Sequence, residues 1–177
     1  MELPPGPGLW VVMGVSGAGK TTAGQALAAH LGVPFGDADD LHPAANVAKM
    51  QSGVALDDAD RAPWLAAVGA WLAERRDGAV MSCSALRRAY RDALREHAGP
   101  VRFLHLAGAA EVVRARVEAR EGHYMPASLV ESQYAALEPL GDEEEGLTVG
   151  FDEPIGAIVA RAAAAALPAT AGRVHVA

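Results

Sequence analysis

Gly14-Val15-Ser16-Gly17-Ala18-Gly19-Lys20-Thr21 satisfies the pattern G-x-x-x-x-G-K-[ST], a backbone cradle for phosphate. Glycines let such a loop wrap with its N–H groups inward, where no Cβ obstructs an approaching phosphate. A helix starting near Lys20 adds partial positive charge at the same point. The Lys20 ammonium suits the β- and γ-phosphates of ATP, and the Thr21 hydroxyl suits Mg²⁺. The expected ATP-binding segment is therefore this loop, with Thr22 behind it.

A second cluster is acidic: Asp37-Ala38-Asp39-Asp40-Leu41-His42. In an extended chain Asp37 and Asp39 point the same way, toward the strand ends where parallel sheets bind ligands. One carboxylate would hold Mg²⁺ through water, and the other would accept a proton from an attacking hydroxyl. A third feature is Arg116 and Arg120, one helical turn apart, with Gly122 as a hinge beyond them. Such a pair suits stacking on adenine and neutralising charge as a phosphoryl group moves, on a lid that expels water.

These residues need a scaffold, and the chain alternates short apolar runs with helix-like segments. The runs at 9–13, 79–83, 101–106 and 147–151, with an extended segment at 33–39, read as strands of a mostly parallel five-stranded sheet. Helices are expected at 20–31, 43–51, 60–76, 86–97, 109–120, 127–137 and 154–167. The fold class is thus α/β, with a P-loop-type three-layer α/β/α architecture in one domain over 1–177. A small helical lid falls near 120–138, 141–146 form an acidic turn, and 168–177 read as a disordered tail.

Composition narrows the function. The chain has 177 residues, 51% of them hydrophobic, and a net charge of −7. That charge argues against nucleic-acid binding, which needs clustered Lys and Arg. A single cysteine, Cys83, fits a reducing compartment. Residues 1–8 do not read as a secretion signal, and no apolar run approaches the roughly 18 residues of a membrane span. A cytoplasmic, membrane-free protein is expected. The guanine-reading Asn-Lys-x-Asp segment of a GTPase is missing, since Val47-Ala48 separate Asn46 from Lys49. Small-molecule kinases fit best.

Several motifs, in order, resemble gluconokinase. They are Met13-Gly14-Val15-Ser16-Gly17, the 37–43 segment with Leu41-His42-Pro43, Asn46 with Lys49-Met50, and Ser52-Gly53. Leu56-Asp57-Asp58, Asp60-Arg61 and Pro63-Trp64-Leu65 continue the likeness, as do Cys83-Ser84-Ala85-Leu86, Tyr90-Arg91-Asp92 and Leu94-Arg95. Arg116, Arg120, Gly122-His123, Ser132-Gln133 and Leu137-Glu138-Pro139 complete it. Shikimate kinase would show a glycine triplet in place of Ser82-Cys83-Ser84.

The resemblance implies ATP-dependent phosphorylation of gluconate. Asp39 would bind and deprotonate the acceptor hydroxyl, Asp37 would support Mg²⁺, and Arg61 and Arg91 would hold the acceptor carboxylate or hydroxyls. That agrees with physical logic, because an acidic protein needs placed guanidiniums to capture an anion. His42, Lys49, Ser84 and Gln133 are further acceptor-site candidates, although His42 also fits a helix-start histidine bonded to backbone. Likeness to nucleotide and shikimate kinases points to Arg116 for adenine and Arg120 for phosphate, with Pro154 near the base. Gly150 and Phe151 depart from the family's Val-Asp at that place. A homodimer is suggested by the family alone. Trp64 and Trp71 share a helix face and read as core, and Cys83 is assigned no chemistry. Arg87, Arg88, Arg95 and Arg102 read as surface or structural. Two alternatives remain: a kinase of another hydroxy acid such as shikimate, and a nucleotide-binding regulatory module without catalysis.

Overall fold

The structure, a computed structural model, describes residues 6–120 and 127–167. Five strands form one sheet: β1 (Gly8–Met13), β2 (Phe35–Asp37), β3 (Gly78–Ser82), β4 (Arg102–Ala107) and β5 (Gly146–Gly150). Their order is β2-β3-β1-β4-β5, and every pairing is parallel.

Parallel strands need crossovers, and the helices that supply them cover both faces. This is why β1 is apolar throughout, β3 is apolar up to Ser82, and β4 carries Phe103, Leu104 and Leu106 alongside the buried polar Arg102 and His105. Trp10 and Val12 join Val80, Leu104 and Leu106 on one face, where Leu27 of α1 (Lys20–Leu31) and Ile158 of α7 (Ile155–Ala166) pack. Val113 of α5 (Ala110–Glu118) and Val130 of α6 (Ala127–Ala136) extend that cluster. Leu9, Val11 and Met13 join Met81 and Phe103 on the other face, beneath Leu65, Val68 and Leu72 of α3 (Asp58–Ala73) and Leu94 of α4 (Arg88–Ala98). Helix α2 (Ala44–Gln51) is largely exposed and lies beside the start of α3.

Two elements differ from the sequence reading. Strand β2 stops at Asp37 because that side chain accepts the Asp39 N–H at 3.0 Å, and residues Ala38–Leu41 turn into a 3-10 helix. Asp37 and Asp39 thus face the same cleft across a turn, rather than as alternate residues of a strand. Helix α3 begins earlier than its apolar pattern, at Asp58. Asp57 caps it through the Asp60 N–H at 2.8 Å while the Asp60 carboxylate returns to the Asp57 N–H at 3.0 Å. The hinge expected at Gly122 and the tail expected at 168–177 lie outside the described residues.

Asp57→Ala removes the cap and is expected to lower stability by about 1 kcal/mol. Chemical denaturation measures this, and an unchanged midpoint would contradict it.

Candidate active site

A cleft of about 390 Å³ opens at the carboxyl ends of β1, β2 and β3. Ser16, Gly17 and Gly19 to Thr22 form its floor, Asp37 and Asp39 one wall, and Ser82 to Ser84 another. Arg120, Leu129 and Gln133 close it from the side of α5 and α6.

The floor folds as the glycine pattern requires. Gly17 and Gly19 adopt φ of 84° and 90°, the left-handed region that favours glycine. Gly14, with φ 150°, packs so closely that a Cβ would lie 2.9 Å from the Leu106 carbonyl. Its N–H donates to the Ser84 carbonyl at 3.2 Å, stitching the loop to the end of β3. Lys20 Nζ donates to the Val15 carbonyl at 3.0 Å, which curls the ammonium over the loop. Thr21 Oγ1 donates to Asp37 Oδ2 at 3.4 Å. These are two hard oxygen donors on adjoining elements.

The charges in the cleft perturb one another. Burial pushes the Lys20 ammonium below its usual value, and Asp39 partly opposes this. Asp39 reaches solvent through the cleft mouth, yet desolvation by the walls raises its carboxyl, and Asp37 raises it further. A carboxylate with raised proton affinity facing a phosphate cradle is suited to take a proton. Burial lifts the Cys83 thiol to about 12, so it is no nucleophile at neutral pH.

On the α6 side, Gln133 Oε1 accepts the Ser16 N–H at 2.6 Å, placing this residue against the phosphate loop. Arg116 donates to the Gly17 carbonyl at 3.3 Å and lies 4.6 Å from the Phe151 ring, beside the loop rather than in the cleft. Pro154 caps α7, and its carbonyl accepts the Ile158 N–H at 3.1 Å.

The remaining acceptor-side candidates lie beyond the cleft wall. His42 is stacked on Trp64, with centroids 4.4 Å apart and planes 12° apart, and its Nδ1 meets Asn46 Nδ2 at 3.4 Å. Burial lowers its proton affinity, and Asp39 partly opposes this. Arg61 pairs with exposed Asp58 at 3.7 Å and lies 5.5 Å from the Tyr90 ring. Lys49 is taken up by Asp60 at 2.6 Å, tying α2 to α3.

Arg91 requires a correction. The expectation was a guanidinium holding the acceptor, but Arg91 is fully buried. Nε and Nη2 clasp Glu144 at 2.8 and 2.9 Å, Nη1 reaches the carbonyls of Ala85, Leu86 and Glu138, and Nη2 that of Pro139. All five N–H donors are engaged, leaving none for a ligand. Arg91 instead pins the chain leaving β3 to the chain leaving α6. Sequence reasoning missed its partner, because Glu144 lies within Asp142-Glu143-Glu144-Glu145, an acidic run that reads as a solvated turn. Trp64 is buried in the core as its helical spacing implies.

A phosphate loop after β1, facing a carboxylate after β2 on a five-stranded parallel sheet, defines a P-loop kinase. A family model described as an AAA domain matches residues 9–140. The gluconokinase of Gluconobacter oxydans is 51% identical over 150 residues, 83% of this chain and 84% of its own length. A solved gluconokinase from Sinorhizobium meliloti is 46% identical with a TM-score of 0.82, covering 92% of this chain and 93% of that one. A shikimate kinase from Bacteroides thetaiotaomicron, 20% identical over 86% of this chain and 94% of its own, shares the fold with a TM-score of 0.61. The chain belongs to the gluconokinase family.

Burial alone would raise the Glu144 carboxyl, but hydrogen bonds from Arg91, the Gly141 N–H and Arg95 outweigh it and hold the group at about 2, against an ordinary 4.5. A depressed folded-state value contributes stability that is present above 4.5 and lost as pH falls toward 2. Glu144→Gln is expected to be less stable at neutral pH and to lose less on acidification, as read by denaturation at several pH values. Arg91→Met, which strands a buried carboxylate, is expected to cost about 3–5 kcal/mol. An unaltered denaturation midpoint in Arg91→Met would contradict this assignment.

Proposed function

We propose that the protein catalyses ATP + D-gluconate → ADP + 6-phospho-D-gluconate. The observation that carries this reading is that the phosphate loop, Lys20 and Asp39 line one cleft, with Asp39 close enough for its charge to act on Lys20.

Amides of the 14–21 loop that are not bonded to backbone carbonyls grip the phosphates of ATP, and Lys20 and Arg120 stabilise the charge that develops on the γ-phosphoryl group. The gluconate C6 oxygen forms a bond to the γ-phosphorus as the bond to the β,γ-bridging oxygen breaks. That electron pair leaves with ADP. Asp39 takes the hydroxyl proton, and its raised proton affinity suits the task. Thr21 and Asp37 fit Mg²⁺, which supplies charge neutralisation for the phosphates when bound. Ser84 lines the acceptor wall, while His42 and Arg61 stand behind Asp39 and serve the anion's hydroxyls and carboxylate. Gln133, bonded to the loop at Ser16, serves the acceptor from the opposite side. Arg116 and Pro154 flank the path toward adenine.

This reading includes one kinase domain with a lid near 120–138, a cytoplasmic setting and a homodimer. Among the described residues no helix is long and apolar enough to cross a membrane.

ADP release measured across sugar acids and shikimate is expected to be stimulated most by gluconate, and by at least about 100-fold less in Lys20→Ala. Equal stimulation by shikimate, or ATP binding with no acceptor-stimulated release, would contradict the reading. The acidic limb of kcat/KM is expected to lie above the ordinary aspartate value of 3.8, with activity lost as pH falls through it, and to vanish in Asp39→Asn. An unshifted limb in that variant would remove Asp39 from the role of base.

A further inference from the structure

Trp64 lies on α3, outside the cleft, and is buried. Its indole N–H donates to the Ala38 carbonyl at 2.7 Å, a buried bond between residues 26 apart in sequence. Ala38 opens the 3-10 turn that carries Asp39. Such a turn has poor internal hydrogen-bond geometry, so its conformation depends on outside restraints. The Asp37 side chain holds it from one side by accepting the Asp39 N–H, and Trp64 holds it from the other. The face of the same indole lies parallel to His42, whose far edge meets Asn46. Asn46, itself buried, donates to the Asp60 carbonyl at 2.8 Å, so the stack is braced against the first turn of α3.

We propose that Trp64 is the positioning residue of the acceptor site. The indole N–H sets where the Asp39 carboxylate stands, and the ring face sets the plane of His42. This rests on the reading of Asp39 as the proton acceptor. A buried indole N–H needs an acceptor, and the one it takes here is the carbonyl that opens the turn carrying Asp39, while its ring face lies parallel to His42. The donor matters because a reacting group misplaced by about 1 Å can lose roughly 100-fold in rate. Phenylalanine keeps an aromatic face but has no donor, and leucine lacks both. The two functions of the indole are therefore separable.

The test compares Trp64→Phe, Trp64→Leu, Asp39→Asn and the double variant Trp64→Phe/Asp39→Asn in ADP-release kinetics with gluconate. Nucleotide affinity and thermal midpoint are measured alongside. Trp64→Phe is expected to lower kcat by about 10-fold or more with the KM for ATP unchanged. Trp64→Leu is expected to raise the gluconate KM as well. In the Asp39→Asn background Trp64→Phe is expected to cost nothing further, because a residue acting through Asp39 has nothing left to position.

Wild-type kcat in Trp64→Phe, or losses that multiply in the double variant, would overturn the proposal while leaving the Asp39 assignment intact. Wild-type turnover in Asp39→Asn would instead overturn the assignment on which it rests. Should Trp64→Phe lose its thermal midpoint, benzothienylalanine at position 64 keeps the bicyclic ring and deletes only the donor. The same loss of kcat is then expected from a normally folded protein, and full activity would refute the proposal.

Discussion

The parallel pairing of β1, β2 and β3 is the constraint on which the site depends. Parallel strands end on the same edge, and the register aligns Val12 with Ser82 and Ser82 with Asp37. The phosphate loop, the Asp39 turn and Ser84 all leave the sheet from those three ends. Reversing β2 would carry Asp39 to the opposite edge, beyond reach of the loop. Backbone bonds then close the small gaps: Cys83 N–H to the Val12 carbonyl at 3.1 Å, and Gly14 N–H to the Ser84 carbonyl. The floor and two walls of the cleft thus come from residues at or just past the strand ends.

The charge distribution follows from the same geometry. With a net charge of −7, the protein offers no general attraction for an anionic nucleotide, and binding falls to local backbone amides and a few cations. Desolvation in the cleft pushes the lysine down against the pull of Asp39 and Asp37, and pushes Asp39 up, with Asp37 adding to it and Lys20 opposing. The raised proton affinity of Asp39 suits a group that takes a proton from an acceptor hydroxyl. The buried Arg91–Glu144 pair, with Arg88 and Arg95 around it, carries the opposite logic. There the charges neutralise each other and lock two connections in place, and the Arg91 donors are all taken up.

The legible parts of this molecule were those with strong local rules. The glycine spacing from Gly14 to Gly19 dictates left-handed backbone wherever it occurs, and the apolar runs at β1 and β3 read as strands because burial on both faces admits little else. The segment containing Asp39 was legible as an acidic cluster but not as a turn, since whether a chain stays extended after Asp37 depends on a side chain bonding back to it. Arg91 illustrates the harder limit. An arginine bound for a carboxylate ligand and one bound for a buried glutamate look alike in sequence, and only the placement of Glu144 beside α4 decides between them. Trp64 hid in the opposite way, because its apolar periodicity is satisfied by packing whether or not the indole N–H has a target.

The central claim is that the Asp39 carboxylate faces the transferring phosphoryl group across the cleft and meets the acceptor hydroxyl. A crystal structure with ADP, aluminium fluoride and gluconate tests it directly. The account places an Asp39 carboxylate oxygen within about 3.2 Å of the gluconate hydroxyl that lies in line with the aluminium. An acceptor hydroxyl paired with another side chain, with Asp39 turned away from it, would contradict the account.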